Sequence, residues 1–225
     1  MTMTMTMTLT MTTTFATALS PRMQRTRAAL LAAGSELLVD RPIDAIAIDE
    51  VVSRAGVAKG SFFNHFADKQ AFGAAVAAEV RTELEARVAA ANARVEDPVS
   101  RIAGGMCVAA QFALEHPRRT RILLRSQDPP TSRSYPLNRG LREDIDAALA
   151  LNLLRPEARN AGLLYWLGLC QVLMANLVET RPTGNQATLL LREMMMLGLC
   201  GLGASPGHVI ELITHTASDL SVDTR

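Results

Sequence analysis

The residues best placed to do chemistry stand in one run between Ala47 and Phe66. Lys59 is a cation, Gly60 and Ser61 are small, Phe63 is a flat apolar ring, and Asn64 and His65 carry hydrogen-bonding groups. Ser and Asn address base edges, while Lys and backbone N–H groups neutralise phosphate. That is the chemistry of reading DNA, with no bond made or broken. Other reactive groups are scattered. Cys107 and His116 are nine residues apart on or near one helix, about 13 Å along its axis, so they cannot pair as nucleophile and base within it. The sequence shows no metal-ligand spacing, Gly-rich phosphate loop or Ser-His-Asp pattern, and it calls for no metal and no cofactor. An enzyme using Cys107 or a His therefore has little to rest on. Cys107, near Arg101, is a candidate redox-sensitive thiol, set against the plainer reading of a small buried hydrophobe.

These side chains need two short helices to position them. Ile48–Ala55 and Ala58–His65 are joined around Gly56, where a sharp turn wants positive φ and glycine adopts it without a Cβ clash. Val51, Val52, Val57, Phe62 and Phe66 have the spacing that locks two such helices at a fixed angle. That is helix-turn-helix geometry, in which the second helix enters a major groove. Phe62 and Phe66 are expected in the core. Asp68 reads as the N-cap of a long helix from Lys69 to Asn92, whose first N–H groups can meet a further phosphate.

Stop and start signals elsewhere divide the chain into about ten helices and no strand, an all-α fold. The first runs from Gln24 to Val39. Asp97-Pro98 and Ser205-Pro206 are cap-plus-proline starts for two others. Helices are also expected over Arg119–Leu124, Leu137–Asn152, Pro156–Glu179 and Asn185–Leu202, with a proline-rich loop from Gln127 to Pro136. Residues 1–22, where Met and Thr alternate, read as a disordered tail or a mis-called start with the true one at Met23. Residues 23–84 form the helix-turn-helix head and 85–220 a helical body.

The set resembles the TetR (tetracycline-repressor) family. The matching pieces are Arg27 to Gly34, Ala55 to Ser61 and Phe63 to Lys69, within a resemblance running from Gln24 to Leu84. The resemblance implies a homodimer, with operator DNA contacted by Lys59, Gly60, Ser61, Phe63, Asn64, His65 and Lys69. It also implies a divergent C-terminal body that binds a small-molecule inducer and dimerises through its last long helices, so that the inducer releases a repressor from its operator. Three positions depart from the family pattern. Ala47 stands where a phosphate-touching Thr is usual, Phe63 where a Tyr hydroxyl usually reaches phosphate, and Val52 where a small Ala packs. The first two remove anchoring contacts, so more salt-sensitive binding is expected. The head carries seven Lys/Arg and six Asp/Glu over residues 22–69, a net charge of only +1.

The body has more apolar surface than one chain can bury. Asn160–Val178 and Leu189–Leu202 are apolar nearly all round, which calls for a partner, and a second copy across a two-fold axis is the simplest. Ala161 to Val178 is free of charge for 18 residues, but Gln171 and Asn176 interrupt it, and a buried helix is expected rather than a membrane span. Met106, Phe112, Tyr165, Trp166, Leu169 and Gln171 are candidates to line a ligand pocket, against the reading that each is core. Three scattered cysteines and no convincing secretion signal fit the cytoplasm. The competing reading is an all-helical carrier of hydrophobic molecules whose helix-turn-helix head is only structural.

Overall fold

The computed structural model describes residues 20–126 and 138–216, all helical or connecting. The helices are α1 (Pro21–Leu38), α2 (Ile48–Ala55), α3 (Lys59–Phe63), α4 (Lys69–Asn92), α5 (Pro98–Glu115), α6 (Pro117–Arg125), α7 (Arg139–Ala150), α8 (Ala158–Thr180), α9 (Gly184–Leu202) and α10 (Pro206–Thr216). The all-α expectation holds. The expected Gln127–Pro136 loop and all but the last three residues of the expected tail lie outside the described residues.

Several boundaries differ from the expected ones, among them the end of α3 at Phe63 rather than His65, and two helix starts differ because a proline takes the first helical turn. α1 begins at Pro21, not Gln24, because Ser20 caps it: the Ser20 hydroxyl accepts the Met23 N–H at 3.4 Å. Pro21 and Arg22, expected in the tail, are thus the first helical residues. α6 begins at Pro117, not Arg119, since a proline at the first helical position sacrifices no hydrogen bond. A single residue, His116, ends α5 and starts α6. A short 3₁₀ turn, Ile43–Ala45, was not foreseen.

α1, α2 and α3 form the head, and α4 runs from it into the body, packing on α1, α5 and α6. Gly34 lets α1 and α4 close together. A Cβ there would lie 2.4 Å from Phe72 Cζ. α5 is the central helix of the body, in contact with α4, α7, α8 and α9. Its inward residues include Ala103, Ala109, Ala110 and Ala113, small enough to let neighbouring helices approach on several sides. Trp166, Leu173 and Leu177 of α8 are at most 2% exposed. By length and composition α8 could cross a membrane, but these residues are fully engaged in the body's core.

The opposite faces of α8 and α9 carry no such cover. Leu164 (59% exposed) and Val172 (64%) stand eight residues apart on α8, and Leu189 (57%) and Leu197 (69%) stand eight apart on α9. That interval is just over two turns, so each pair shares a side of its helix. Both segments expected to have apolar surface to spare, Asn160–Val178 and Leu189–Leu202, thus expose some of it.

Candidate nucleic-acid interface and body cavity

Between α2 and α3 the backbone of Gly56 is left-handed (φ 66°, ψ 32°), and its N–H reaches the carbonyls of Ser53 and Val52. Val57 N–H then donates to the Val52 carbonyl at 3.0 Å, closing the turn. Val51, Val52, Phe62 and Phe66 are buried. The Phe62 ring lies 5.5 Å from Phe66 and 5.3 Å from Phe72, which clamps α3 onto α4. The Arg27 guanidinium covers the Phe66 ring at 5.0 Å.

With Phe62 and Phe66 inside, the outer side of α3 and the turn after it expose Lys59, Gly60, Phe63 and Asn64, and leave Ser61 and His65 half-buried. These are the six residues expected there as DNA contacts. Lys59 is held in an exposed ion pair with Asp49 of α2 at 2.8 Å. Lys69 is turned elsewhere. Its ammonium donates to the Asp44 carbonyl at 2.9 Å, and Gln70 donates to the Asp44 carboxylate at 2.6 Å. The N-terminus of α4 is already capped, because the Asp68 carboxylate accepts the Ala71 N–H at 2.7 Å. Asp68 is thus the N-cap that the sequence indicates, and a phosphate at this terminus would meet its carboxylate.

A cavity of about 480 Å³ lies among α4, α5, α7 and α8. Trp166, Cys170 and Met174, spaced four apart, form one wall with Gln171 beside them. Leu84 and Val88 of α4 and Ile102 of α5 face them. The polar end belongs to charged pairs. Arg81 Nε donates to Glu85 at 2.8 Å while its Nη2 donates to Asn138 at 2.7 Å. Arg101 donates to Asp144 at 2.6 Å and to the carbonyls of Val95 and Glu96. Burial pushes the carboxyls of Glu85 and Asp144 above their usual range, even against the pull of their arginine partners.

Of the expected pocket residues, Trp166 and Gln171 line this cavity. Met106 and Phe112 are fully buried in the core and not on its wall. Tyr165 is 39% exposed, and its hydroxyl points to the Leu197 carbonyl at 3.5 Å. Leu169 packs toward α9, next to Gly198. The physical reason is helical phase: Trp166, Leu167, Cys170, Gln171 and Met174 share the side of α8 that borders the cavity, whereas Tyr165 and Leu169 lie toward α9. Arg81, Glu85 and Asp144 were not anticipated. The signal was present in Arg81 and Glu85, an i,i+4 pair flanking the buried Leu84.

Cys107 lies against Met195, sulfur to sulfur 3.7 Å, and burial pushes its thiol up to about 11. Arg101 is committed to Asp144 and two carbonyls. This is the setting of a small buried hydrophobe and not of a reactive thiolate. Among the described residues no three His, Cys, Asp or Glu side chains group as metal ligands.

An exposed second helix behind a glycine turn, carried on a helical body with a cavity among its helices, is a helix-turn-helix architecture. Residues 30–76 match the family model of the bacterial regulatory proteins of the tetR family. The HTH-type transcriptional repressor DhaR of Mycobacterium sp. (strain GP1) is 37% identical over 65 residues, 28% of this chain and 33% of that protein. The chain thus matches about a third of this curated relative's length. Solved structures resemble it across the body as well. A tetR family transcription regulator from Shewanella sp. PV-4 is 17% identical with a TM-score of 0.70, over 79% of this chain and 97% of that one. RolR in complex with resorcinol is 18% identical with a TM-score of 0.56, over 86% and 95%. A gamma-butyrolactone receptor described as ArpA-like is 19% identical with a TM-score of 0.57, over 88% and 98%. At these identities the likeness is one of fold.

Proposed function

We propose that this chain is a homodimeric transcriptional repressor of the cytoplasm that leaves its operator when a small molecule fills the body cavity. The observation that carries the reading is the continuity of α4. Its first residue, Lys69, lies just beyond α3, and Arg81 and Glu85 on the same helix border the cavity. The separation from Lys69 to Arg81 is about 18 Å along the axis. A ligand that prefers one setting of α4 thereby prefers one setting of the head. The heads of two protomers must present α3 to successive major grooves about 34 Å apart, or a multiple of that, so a small change in their spacing weakens binding. The exposed faces of α8 and α9 supply the dimer surface. The likeness to a repressor in the head, and to structures described with resorcinol or as a butyrolactone receptor, supports the same reading. Lys59, Gly60, Ser61, Phe63, Asn64 and His65 carry the DNA contacts, with Lys69 mainly bracing α4.

The test is selection of bound duplexes from a random pool, with wild type beside Lys59→Ala and Ser61→Ala. A two-fold symmetric site, bound less tightly by both variants and with steep salt dependence, is the expected result. No enrichment at low salt from folded protein would favour the hydrophobe-carrier reading instead.

A further inference from the structure

We propose that the cavity takes an uncharged, hydroxyl-bearing amphiphile whose apolar part lies against Val88, Leu141 and Leu167 and whose hydroxyl donates to the Glu85 carboxylate. This deepens, and rests on, the reading of the body as a ligand sensor. The argument is one of charge already spoken for. Arg81 is bonded to Glu85 at 2.8 Å and to Asn138 at 2.7 Å. Arg101 is bonded to Asp144 at 2.6 Å and pinned by two backbone carbonyls. An anionic ligand would have to take one of these guanidiniums from its carboxylate and then sit beside that carboxylate, unpaired. A cationic ligand would meet the mirror problem with Arg81 and Arg101. Breaking a half-buried pair leaves one charge uncompensated, which is costlier than the pair is worth. Arg139, the further cation on the lining, is 75% exposed and beside Glu143, so it offers no buried anion site.

A neutral hydroxyl disturbs neither pair. Glu85 is a carboxylate short of solvation, since burial outweighs Arg81 in setting its proton affinity. Glu85 is 29% exposed and accepts one hydrogen bond, from Arg81 Nε to its Oε1, so an O–H donor can add a second, and one made to an ionised acceptor is of the stronger kind. Opposite, the ring of Trp166 is 1% exposed and backs onto Gly198 of α9, where a Cβ would lie 2.8 Å from its Cζ3. Trp166 therefore floors the cavity from behind, and the open apolar wall belongs to the half-buried Val88, Leu141 and Leu167, against which a flat or alkyl group lies. A cavity of about 480 Å³ suits a ligand of small-molecule size.

Trp166 borders the cavity and is the only tryptophan in the chain, so its emission, excited on the red edge of the indole band, reports occupancy. The full-length protein is titrated with hexylresorcinol, phenylhexanoate and hexyltrimethylammonium, and each complex is also tested against duplex selected as above. Saturable change with the neutral diol, little or none with the ions, and binding about tenfold or more weaker in Glu85→Gln are expected. Tighter binding of either ion, silence of the neutral probe, or a Glu85→Gln affinity equal to wild type would each overturn the proposal. The wild-type series decides the charge class even if the variant does not fold. An ion that binds and releases DNA would overturn the ligand class and leave the regulator intact, whereas failure to bind any duplex would strike the regulator reading itself.

Discussion

Arg125 Nη1 donates to the carbonyl oxygen of Val39 at 2.8 Å and to that of Leu38 at 3.2 Å. The last residue of α6 thus satisfies carbonyls at the end of α1, and a body helix is keyed to a head helix by a cation at a helix C-terminus. Beside it lies a second cavity of about 380 Å³, bordered by Leu38, Ile43, Ala74 and Ile122. Arg125 borders this cavity and, beside the continuous α4, ties the body to the head. Arg125→Ala should lower stability by about 1 kcal/mol and, more tellingly, blunt the effect of ligand on DNA binding. Thermal melts and ligand-dependent release from duplex check the two parts separately. Release at wild-type ligand concentrations would show that the bridge is structural only.

Lys59 meets Asp49 before it meets DNA. The pair is exposed on both sides and spans 2.8 Å, so solvent screens most of its worth. A phosphate bound by Lys59 must displace or share that carboxylate. Asp49→Asn should therefore strengthen operator binding, and Lys59→Ala should weaken it with a salt slope lower by about 1. Equal affinity for wild type and Asp49→Asn over a salt titration would mean that Lys59 does not touch phosphate.

The apolar residues on the outer sides of α8 and α9 make a further prediction. Leu197 is 69% exposed and Val172 64%. If both are buried between two copies, Leu197→Glu or Val172→Glu places a carboxylate in that interface and should give monomers by sedimentation, with the fold intact by circular dichroism. Monomers should also lose operator affinity, because only two linked heads read a two-fold site. A dimer unchanged by both substitutions would place the interface elsewhere.

How much of this was legible in the sequence depended on the range of the forces involved. The turn at Gly56 and the buried Phe62 and Phe66 follow from local spacing, and they fall where expected. The bounds of α2, α4 and α5 also do, since each has a nearby stop or cap. The Ser20-Pro21 start was hidden by the Thr-rich stretch before it, although it repeats the Asp97-Pro98 signal. The 3₁₀ turn at Ile43–Ala45 could not be read locally, because Lys69 and Gln70 bind Asp44 from 25 and 26 residues away. The cavity was half legible. α8 supplied Trp166 and Gln171, but the polar end comes from α4 and α7, and nothing in α8 alone says which helix stands opposite.

Asp97 links stability to pH. Its Oδ2 accepts the Ser100 N–H at 2.7 Å and hydroxyl at 2.6 Å, and His208 Nε2 lies 3.3 Å away. Burial works to raise this carboxyl, but the Ser100 hydrogen bonds and His208 together outweigh it and hold it below the usual range. The native state therefore gives up this proton more readily than the unfolded chain. The resulting stability is complete above the unfolded value of about 4 and is lost as pH falls through the lowered native value. Asp97→Ala should lower stability by about 1 kcal/mol at neutral pH through loss of the cap of α5. It should also flatten the acid limb of a denaturation profile, and an acid limb identical to wild type would assign the effect to other carboxylates.

Gly34 and Gly56 separate two reasons for a glycine. At Gly34 the backbone is ordinary helix, but an added Cβ would lie 2.4 Å from Phe72 Cζ and 2.8 Å from Val76 Cγ2. Phe72 is fully buried against Phe62 and Phe66 and has no room to retreat. Gly34→Ala should therefore cost about 1–3 kcal/mol, the range for overpacking a core, despite the better helix propensity of Ala. At Gly56 nothing lies within 4 Å of an added Cβ, but φ is +66°. Gly56→Ala should cost about 1 kcal/mol of backbone strain with the core untouched. A second change distinguishes them: Phe72→Leu should recover part of the loss in Gly34→Ala by making space, and should recover none in Gly56→Ala. Urea titrations of the three single and two double variants measure this coupling, and additivity in the Gly34 pair would mean that the contact between α1 and α4 is looser than the 2.4 Å approach implies.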